Sequence, residues 1–181
     1  MELKLRRIIA ADAKVLSAIA KQTFFDTFTG TCTEADMESF LQGYFNETRL
    51  SNEISDDNNL YFFAEHEGIP VGYLQFMEDY SGFPQMKKWK ALELKRIYVL
   101  KEFHGKGIAQ QLMDFTLAYA KEHAYEVVWL GVWEHNDRAQ QFYKKYGFVD
   151  SGHTHDFPIG DTPQTDNWLW KFLGTDAVSR I

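Results

Sequence analysis

The chain has 181 residues, 19 Lys and Arg against 26 Asp and Glu, a formal net charge of -7 and a single cysteine. That length suits one domain with a sizeable core, and the acidic balance argues against non-specific nucleic-acid binding while agreeing either with a cationic partner or simply with solubility. No stretch approaches the ~20 apolar residues of a membrane span, the first residues lack the apolar run of a signal peptide, and Cys32 has no second cysteine to pair with, so the cytoplasm is the expected compartment.

In chain order, residues 3–9 alternate as a first strand. Asp12 then stands as the N-cap of an amphipathic helix carrying Val15, Leu16, Ile19, Phe24 and Phe28. Thr33, with Asp36 three residues on, starts a second helix reaching about Tyr44, and residues 46–55 form a third, short helical stretch. Residues 61–67 and 71–78 read as a hairpin across Glu67-Gly68-Ile69-Pro70, followed by a loop over 80–89 that contains Gly82 and Pro84. Residues 92–100 form a strand. A helix runs from Ile108 to about His123, with Ile108, Leu112, Phe115 and Tyr119 at helical spacing. Residues 127–132 are a β-branched, apolar strand, a helix follows Asn136, and strands at 148–155 and 168–173 close the sheet. The alternation predicts an α/β (α+β) fold over residues 1–173, with 174–181 as a frayed tail.

The most informative segment is Leu94-Lys95-Arg96-Ile97-Tyr98-Val99 followed by His104-Gly105-Lys106-Gly107-Ile108-Ala109. A strand leads through a glycine loop into the first turn of a helix. Such a turn presents unpaired backbone N–H groups at the positive end of the helix dipole, which is an anion site and usually a phosphate site. Gly105 and Gly107 allow close approach of the backbone, and Lys106 adds a charge. The Walker loop fits poorly, because Ile108 follows Gly107 where lysine is required, and so does the dinucleotide fingerprint, because Gln110 occupies the third glycine position.

A second motif follows the 127–132 strand. Asn136 suits an N-cap, Asp137 the first helical turn, Lys144 and Lys145 the last, and Gly147 the C′ position. Asn136 and Tyr143 are seven residues apart, about two turns, and so share a face.

Together these segments resemble motifs A and B of the GNAT superfamily of N-acetyltransferases. Motif A reads [Gln/Arg]-x-x-Gly-x-[Gly/Ala]; Gly107 and Ala109 match, and His104 replaces the usual Gln or Arg. Motif B reads N-x-x-A-x-x-[FL]-Y-x-x-x-G-F, and Asn136, Ala139, Phe142, Tyr143, Gly147 and Phe148 all fall on it. The resemblance implies the GNAT fold, a single mixed, mostly antiparallel twisted sheet of about seven strands flanked by helices. It implies acetyl-CoA as cosubstrate, with its pyrophosphate on the 104–109 loop, Asn136 on CoA and the Tyr143 hydroxyl near the sulfur. It also implies that a backbone N–H in the Ile97-Tyr98-Val99 region meets the thioester oxygen. Dimers are common in that superfamily, so a homodimer is compatible with the resemblance.

Acetyl transfer to an amine needs a held thioester, a neutral amine and an acid for the leaving thiolate. Deprotonating a lysine-like amine at pH 7 costs about 4.6 kcal/mol, and a base helps to remove that proton. Tyr143 is the candidate acid, since a phenol stays protonated at neutral pH. Glu93 stands where several family members keep a catalytic glutamate, and equally reads as a solvated edge carboxylate. Other members use a glutamate on the fifth strand, where this chain has Gly131. Glu134 is a weaker candidate. His153 and His155 share a strand face at a spacing that can bind zinc, but the supporting ligands are missing and no metal is expected. Cys32 lies in a threonine-rich connection without a motif and reads as an unreactive thiol.

The acceptor wall of a GNAT usually comes from the first helices and the last strands. Here those carry Phe24, Asp26 and Phe28, and Asp166. The phrases at 22–28 and 160–166 resemble those of the PaiA-type spermidine/spermine N-acetyltransferases. Carboxylates beside aromatics grip an ammonium by charge and cation–π contact. Phe24 and Phe28, four apart, equally form a core-facing stripe. The leading expectation is acetylation of a small amine or polyamine. A protein N-terminus or lysine as acceptor, and a non-catalytic acyl-CoA-binding regulatory domain, remain open alternatives.

Overall fold

The computed structural model describes residues 2–174; most of the expected tail, 175–181, lies outside them. Seven strands form one sheet: β1 (Lys4–Arg7), β2 (Asn59–His66), β3 (Ile69–Met77), β4 (Ala91–Val99), β5 (Val127–Trp133), β6 (Val149–Asp156) and β7 (Thr165–Phe172). The helices are α1 (Ala13–Phe28), α2 (Glu34–Tyr44), α3 (Glu47–Ser55), α4 (Ile108–Glu122) and α5 (Asp137–Lys145). The strand order is β1-β2-β3-β4-β5-β7-β6, antiparallel throughout except for the parallel β4/β5 pair. This is the mixed, mostly antiparallel sheet that the family resemblance implies. No helix among the described residues is long and apolar enough to cross a membrane.

Local chemistry accounts for most element ends. The Thr33 and Asn46 side chains accept the backbone N–H of Asp36 and Arg49, capping α2 and α3. The β2–β3 turn is only Glu67-Gly68, both at positive φ, which is the two-residue turn that matches strand twist. Ile69 and Pro70 therefore begin β3 instead of completing the loop. Asp12 precedes α1 but does not cap it with its side chain. Its carboxylate instead takes hydrogen bonds from Arg6, at 2.8 Å, and from the Ile9 N–H. Val15, expected on the apolar stripe, is exposed, while Leu16, Ile19, Phe24 and Phe28 are buried.

The sheet separates two cores. On one face α4 and α5 cover Leu74, Phe76, Leu94 and Leu130; on the other α1, α2 and α3 cover Tyr61, Phe63 and Tyr73. A third cluster, around Phe83, Met86, Trp129 and Trp168, lies under the turn at Pro84–Lys88.

Two irregularities in β4 create the site. First, a bulge lets β4 spend an extra residue, Lys95, between its pairings Leu94–Phe76 and Arg96–Gln75. Side-chain parity flips there. Leu92 and Leu94 share the α4 face with Ile97 and Val99, while Tyr98 joins the α1 face. Second, β4 and β5 pair only from Ala91–Val127 to Glu93–Trp129 and then splay apart.

Candidate active site

The splay opens a cleft of about 700 Å³. One wall is the glycine loop and the start of α4. Gly105 and Gly107 adopt φ of 77° and 79°, a left-handed conformation that costs other residues dearly. The first bond into α4 runs from the Gln111 N–H to the Gly107 carbonyl, so the amides just before it have no helical acceptor and face outward. Ile97, Tyr98, Val99, His104, Gly105, Gly107, Ile108 and Ala109 all line the cleft. Lys106 does not; its ammonium lies 4.5 Å over the Phe103 ring.

The edge of β4 supplies further donors. Leu100 N–H bonds back to Val71 on β3, and in the alternating antiparallel pattern this leaves Ile97 and Val99 directed away from β3, toward the splay. The Val99 carbonyl on that side accepts His104 Nε2–H at 2.9 Å. Arg138 donates to His104 Nδ1, also at 2.9 Å, which fixes the Nε2–H tautomer. His104 thus ties the loop to β4 and to α5, a role absent from the sequence reading. Arg138, Lys101 and Lys145 also line the cleft, so an acidic protein carries a cationic pocket. Arg138 and Lys101 were not anticipated as site residues; a basic residue beside an anion loop is the signal that would have found them.

The α5 wall follows the second motif. Asn136 Oδ1 accepts the Ala139 N–H at 3.1 Å, which leaves its amide nitrogen to face the cleft. At the other end Phe148 N–H bonds Tyr143 C=O and Gly147 N–H bonds Lys144 C=O, the paired closure of a Schellman motif, with Gly147 at φ 78°. Phe148 packs edge-on against the Tyr143 ring, at 5.8 Å between centroids. Tyr143 is thereby held with its ring buried, and its hydroxyl has no hydrogen-bond partner among the described residues. Burial pushes the phenol well above its usual range, with the Tyr98 and Asp166 charges adding to the effect. It therefore stays protonated. This donor set, made of free amides, cations and an uncommitted carboxamide around an elongated cleft, suits a phosphorylated thioester.

The opposite wall is less as expected. Asp26 lines the cleft from α1, beside Thr23 and Thr27. Phe24 and Phe28 do not reach it. Both are buried, stacked on each other at 4.4 Å, and Phe24 stacks on Phe40 at 4.6 Å. The core-facing stripe is the correct reading for both, because α2 packs over that face of α1; Phe28 shapes the cleft only from behind, against Trp133. Glu93 is buried outside the cleft lining, 3.4 Å from Lys95 Nζ, and burial raises its carboxyl above the ordinary range. Five residues separate it from Tyr98, or four after the bulge, so it stands roughly 13–16 Å back along β4. Asp166 is not in the cleft lining; it is half-buried on β7, paired with Trp133, which lines the cleft. Burial pushes its carboxyl up to about 6. Glu134 is exposed beside His135. The His153 and His155 rings pack against Phe83 and Trp168, and no metal-binding cluster occurs among the described residues. Burial, helped by Asp36, raises the Cys32 thiol, which leaves it less nucleophilic.

The model of the acetyltransferase (GNAT) family matches residues 21–148, which include the loop, both motifs and the splayed strands. The chain belongs to the GNAT family. An uncharacterized N-acetyltransferase of Lactobacillus delbrueckii subsp. lactis is 35% identical over 170 residues, 94% of this chain and 97% of that one. The PaiA N-acetyltransferase of Thermoplasma acidophilum, solved with coenzyme A, shares the fold with a TM-score of 0.76 at 21% identity, over 96% of this chain and all of that one. The spermidine/spermine N-acetyltransferase SpeG of Vibrio cholerae shares it at 0.66 and 19% identity, over 99% of each chain. This GNAT chain is an N-acetyltransferase that uses acetyl-CoA as cosubstrate.

Proposed function

We propose that the acceptor is a small amine with more than one ammonium group, of the polyamine class. The observation that carries this reading is the makeup of the wall facing the CoA loop. There, the Asp26 carboxylate of α1 stands with the aromatic rings of Tyr98 and Trp133, and Asp166 lies directly beyond Trp133. One carboxylate holds an ammonium that does not react, and the aromatic faces stabilise it further by cation–π attraction. The shared fold of a spermidine/spermine N-acetyltransferase supports the reading.

In this reading the 104–109 loop, Arg138 and Lys101 hold the phosphates of CoA, and Asn136 binds its arm. A backbone N–H of Ile97 or Val99 meets the thioester oxygen as charge builds on it. The amine attacks the acyl carbon directly, and the Tyr143 phenol protonates the departing sulfur.

The test is thiol release from acetyl-CoA against spermidine, spermine, monoamines, amino acids and peptides with free N-termini. Turnover of the polyamines with a lower KM than that of monoamines of equal length is expected. Turnover confined to peptides overturns the reading in favour of a protein acceptor. Silence toward every amine, with CoA bound in a calorimeter, overturns it in favour of an acyl-CoA sensor.

A further inference from the structure

We propose that Asp166 is the general base of the transfer and takes the proton from the acceptor ammonium through one bridging water. This rests on reading the cleft as an amine-acetylation site, and it follows from strand registers. β7 runs antiparallel to β5, so that Asp166 faces Trp133 and Trp168 faces Gly131. The space that a side chain at 131 would fill belongs to its neighbours: a Cβ there would stand 3.1 Å from Asp166 Oδ2 and 2.7 Å from the Trp168 ring. Gly131 is thus what lets the Asp166 carboxylate lie across β5.

The same registers set its depth. Counting from the last β4/β5 pair, Glu93–Trp129, four residues along β5 reach Trp133, and five along β4, one of them taken up by the bulge, reach Tyr98. Trp133 and Tyr98 are therefore level, and both line the cleft. The Asp166 backbone, opposite Trp133, is at that level too, and its carboxylate leans back toward Gly131, just behind the cleft lining. Glu93 is at the closed end of the splay and is already ion-paired to Lys95.

Among the described residues the Asp166 carboxylate accepts no hydrogen bond and joins no ion pair. Its titratable neighbours are the Tyr98 phenol on β4 and the Tyr143 phenol on α5, both held protonated in part by the Asp166 charge. The exposed His155 faces it from β6, and Asp26 stands on the α1 side of the cleft. Tyr98 is pushed up to about 12, mainly by burial. A carboxyl at about 6 is a far better base than an ordinary one, and remains ionised at neutral pH.

The protons balance. The ammonium gives one proton through the water to Asp166, and the freed lone pair forms the C–N bond while the C=O π pair moves to oxygen. That pair returns as the C–S bond breaks with its electrons on sulfur, and Tyr143 O–H protonates the sulfur. The second proton leaving nitrogen restores the phenol, and Asp166 releases its proton to water. The sum is acetyl-CoA plus ammonium giving amide, CoA thiol and one proton.

The test is Asp166→Asn with the acceptor that the amine panel identifies. A fall in kcat of about a hundredfold or more is expected. The acid limb of the kcat profile near pH 6 should vanish, the KM for acetyl-CoA should hold, and the variant should melt at or above the wild type. Asp166→Glu should recover part of kcat with its acid limb. If Asp166→Asn raises only the KM for the amine and keeps both kcat and the acid limb, Asp166 merely holds the ammonium and the proposal fails while the amine reading stands. A measurement that needs no acceptor accompanies this: ¹³C NMR titration of the Asp166 carboxyl in the intact protein, assigned with Asp166→Asn. A midpoint near 6 is expected, and one near 4 overturns the base assignment even if every amine turns over.

Discussion

The two walls of the cleft are built on different plans. The wall proposed for CoA is built first of backbone, two glycines at positive φ and the open amides of α4, with the carboxamide that caps α5 and a few cations around it. Its parts come from two short, continuous segments. The wall proposed for the acceptor consists of side chains delivered from α1, β4 and β5, with the Asp26 carboxylate on it and Asp166 of β7 just behind it. A backbone wall holds what every reaction of this class shares. A side-chain wall is free to differ without disturbing the loop, so the acceptor is where this protein is individual.

The sharpest way to break that division is Phe24→Ala. If the acceptor wall is carried by Asp26 and not by the ring two residues before it, the loss falls on the core. Truncating a buried phenylalanine costs about 3–5 kcal/mol, and at about 2–4 °C per kcal/mol for a chain of this size the melting point should drop by roughly 10 °C. Well below that temperature the KM for the amine should stay within about twofold. A KM that rises tenfold in a folded variant would put Phe24 back on the acceptor wall.

On the other wall, Gly107→Glu should act chiefly through binding. A side chain at φ 79° costs about 1–2 kcal/mol of fold stability, while a carboxylate at the helix N-terminus opposes the phosphate by up to about 2 kcal/mol. Calorimetry should show CoA affinity lowered by about 30-fold, with the circular dichroism of the fold unchanged. CoA binding at the wild-type level would mean that the phosphates lie elsewhere.

Tyr143 touches both walls, and Tyr143→Phe separates chemistry from binding. Thiolate is a good leaving group, so the loss in kcat should sit at the low end for an acid catalyst, about a hundredfold, with the KM for acetyl-CoA little changed. The pH sign follows from burial. A phenol raised above its usual range is fully protonated across pH 6–9, so wild-type kcat should show no alkaline fall from this group. Unchanged turnover in Tyr143→Phe across that range would remove Tyr143 from the chemistry.

The same contrast explains what was legible in the sequence. Gly105, Gly107, the Asn136 cap and the Gly147 closure act on neighbours a few residues away, so spacing alone reveals the loop, α5 and the face shared by Asn136 and Tyr143. The strands, too, follow from period-two runs and turn residues, while their order in one sheet comes only with the family resemblance. The Lys95 bulge is not written in β4, because it exists only as a mismatch with β3, and it decides which residues reach the cleft. Without it, Glu93 looks like a site residue by the strand position where several family members keep a glutamate. Gly131 looks like a missing carboxylate until β7 folds beside it and Asp166 fills the space. Asp12 is read as a cap because no local rule shows Arg6 claiming it. Phe24 and Phe28 were ambiguous for the same reason: a stripe four apart faces whatever packs on it, and α2 supplies that.

The smallest expected effect probes the seam between the walls. Arg138 on α5 is exposed, lines the cleft and donates to His104, whose other nitrogen bonds Val99 C=O on the splayed edge of β4. Arg138→Ala removes one cation from the phosphate side and leaves His104 Nδ1 to water. Exposed charges are screened, so CoA affinity should fall only roughly fivefold at low salt, and the difference from wild type should shrink as salt rises through ~0.5 M. If the cation acts only by charge, Arg138→Lys restores affinity. If its hydrogen bond to His104 sets the position of Val99, Arg138→Lys restores binding but leaves kcat low, because the β4 N–H proposed to meet the thioester oxygen is displaced. A kcat that follows CoA affinity in both variants would confine Arg138 to the CoA wall and leave the geometry of the β4 edge to its bulge alone.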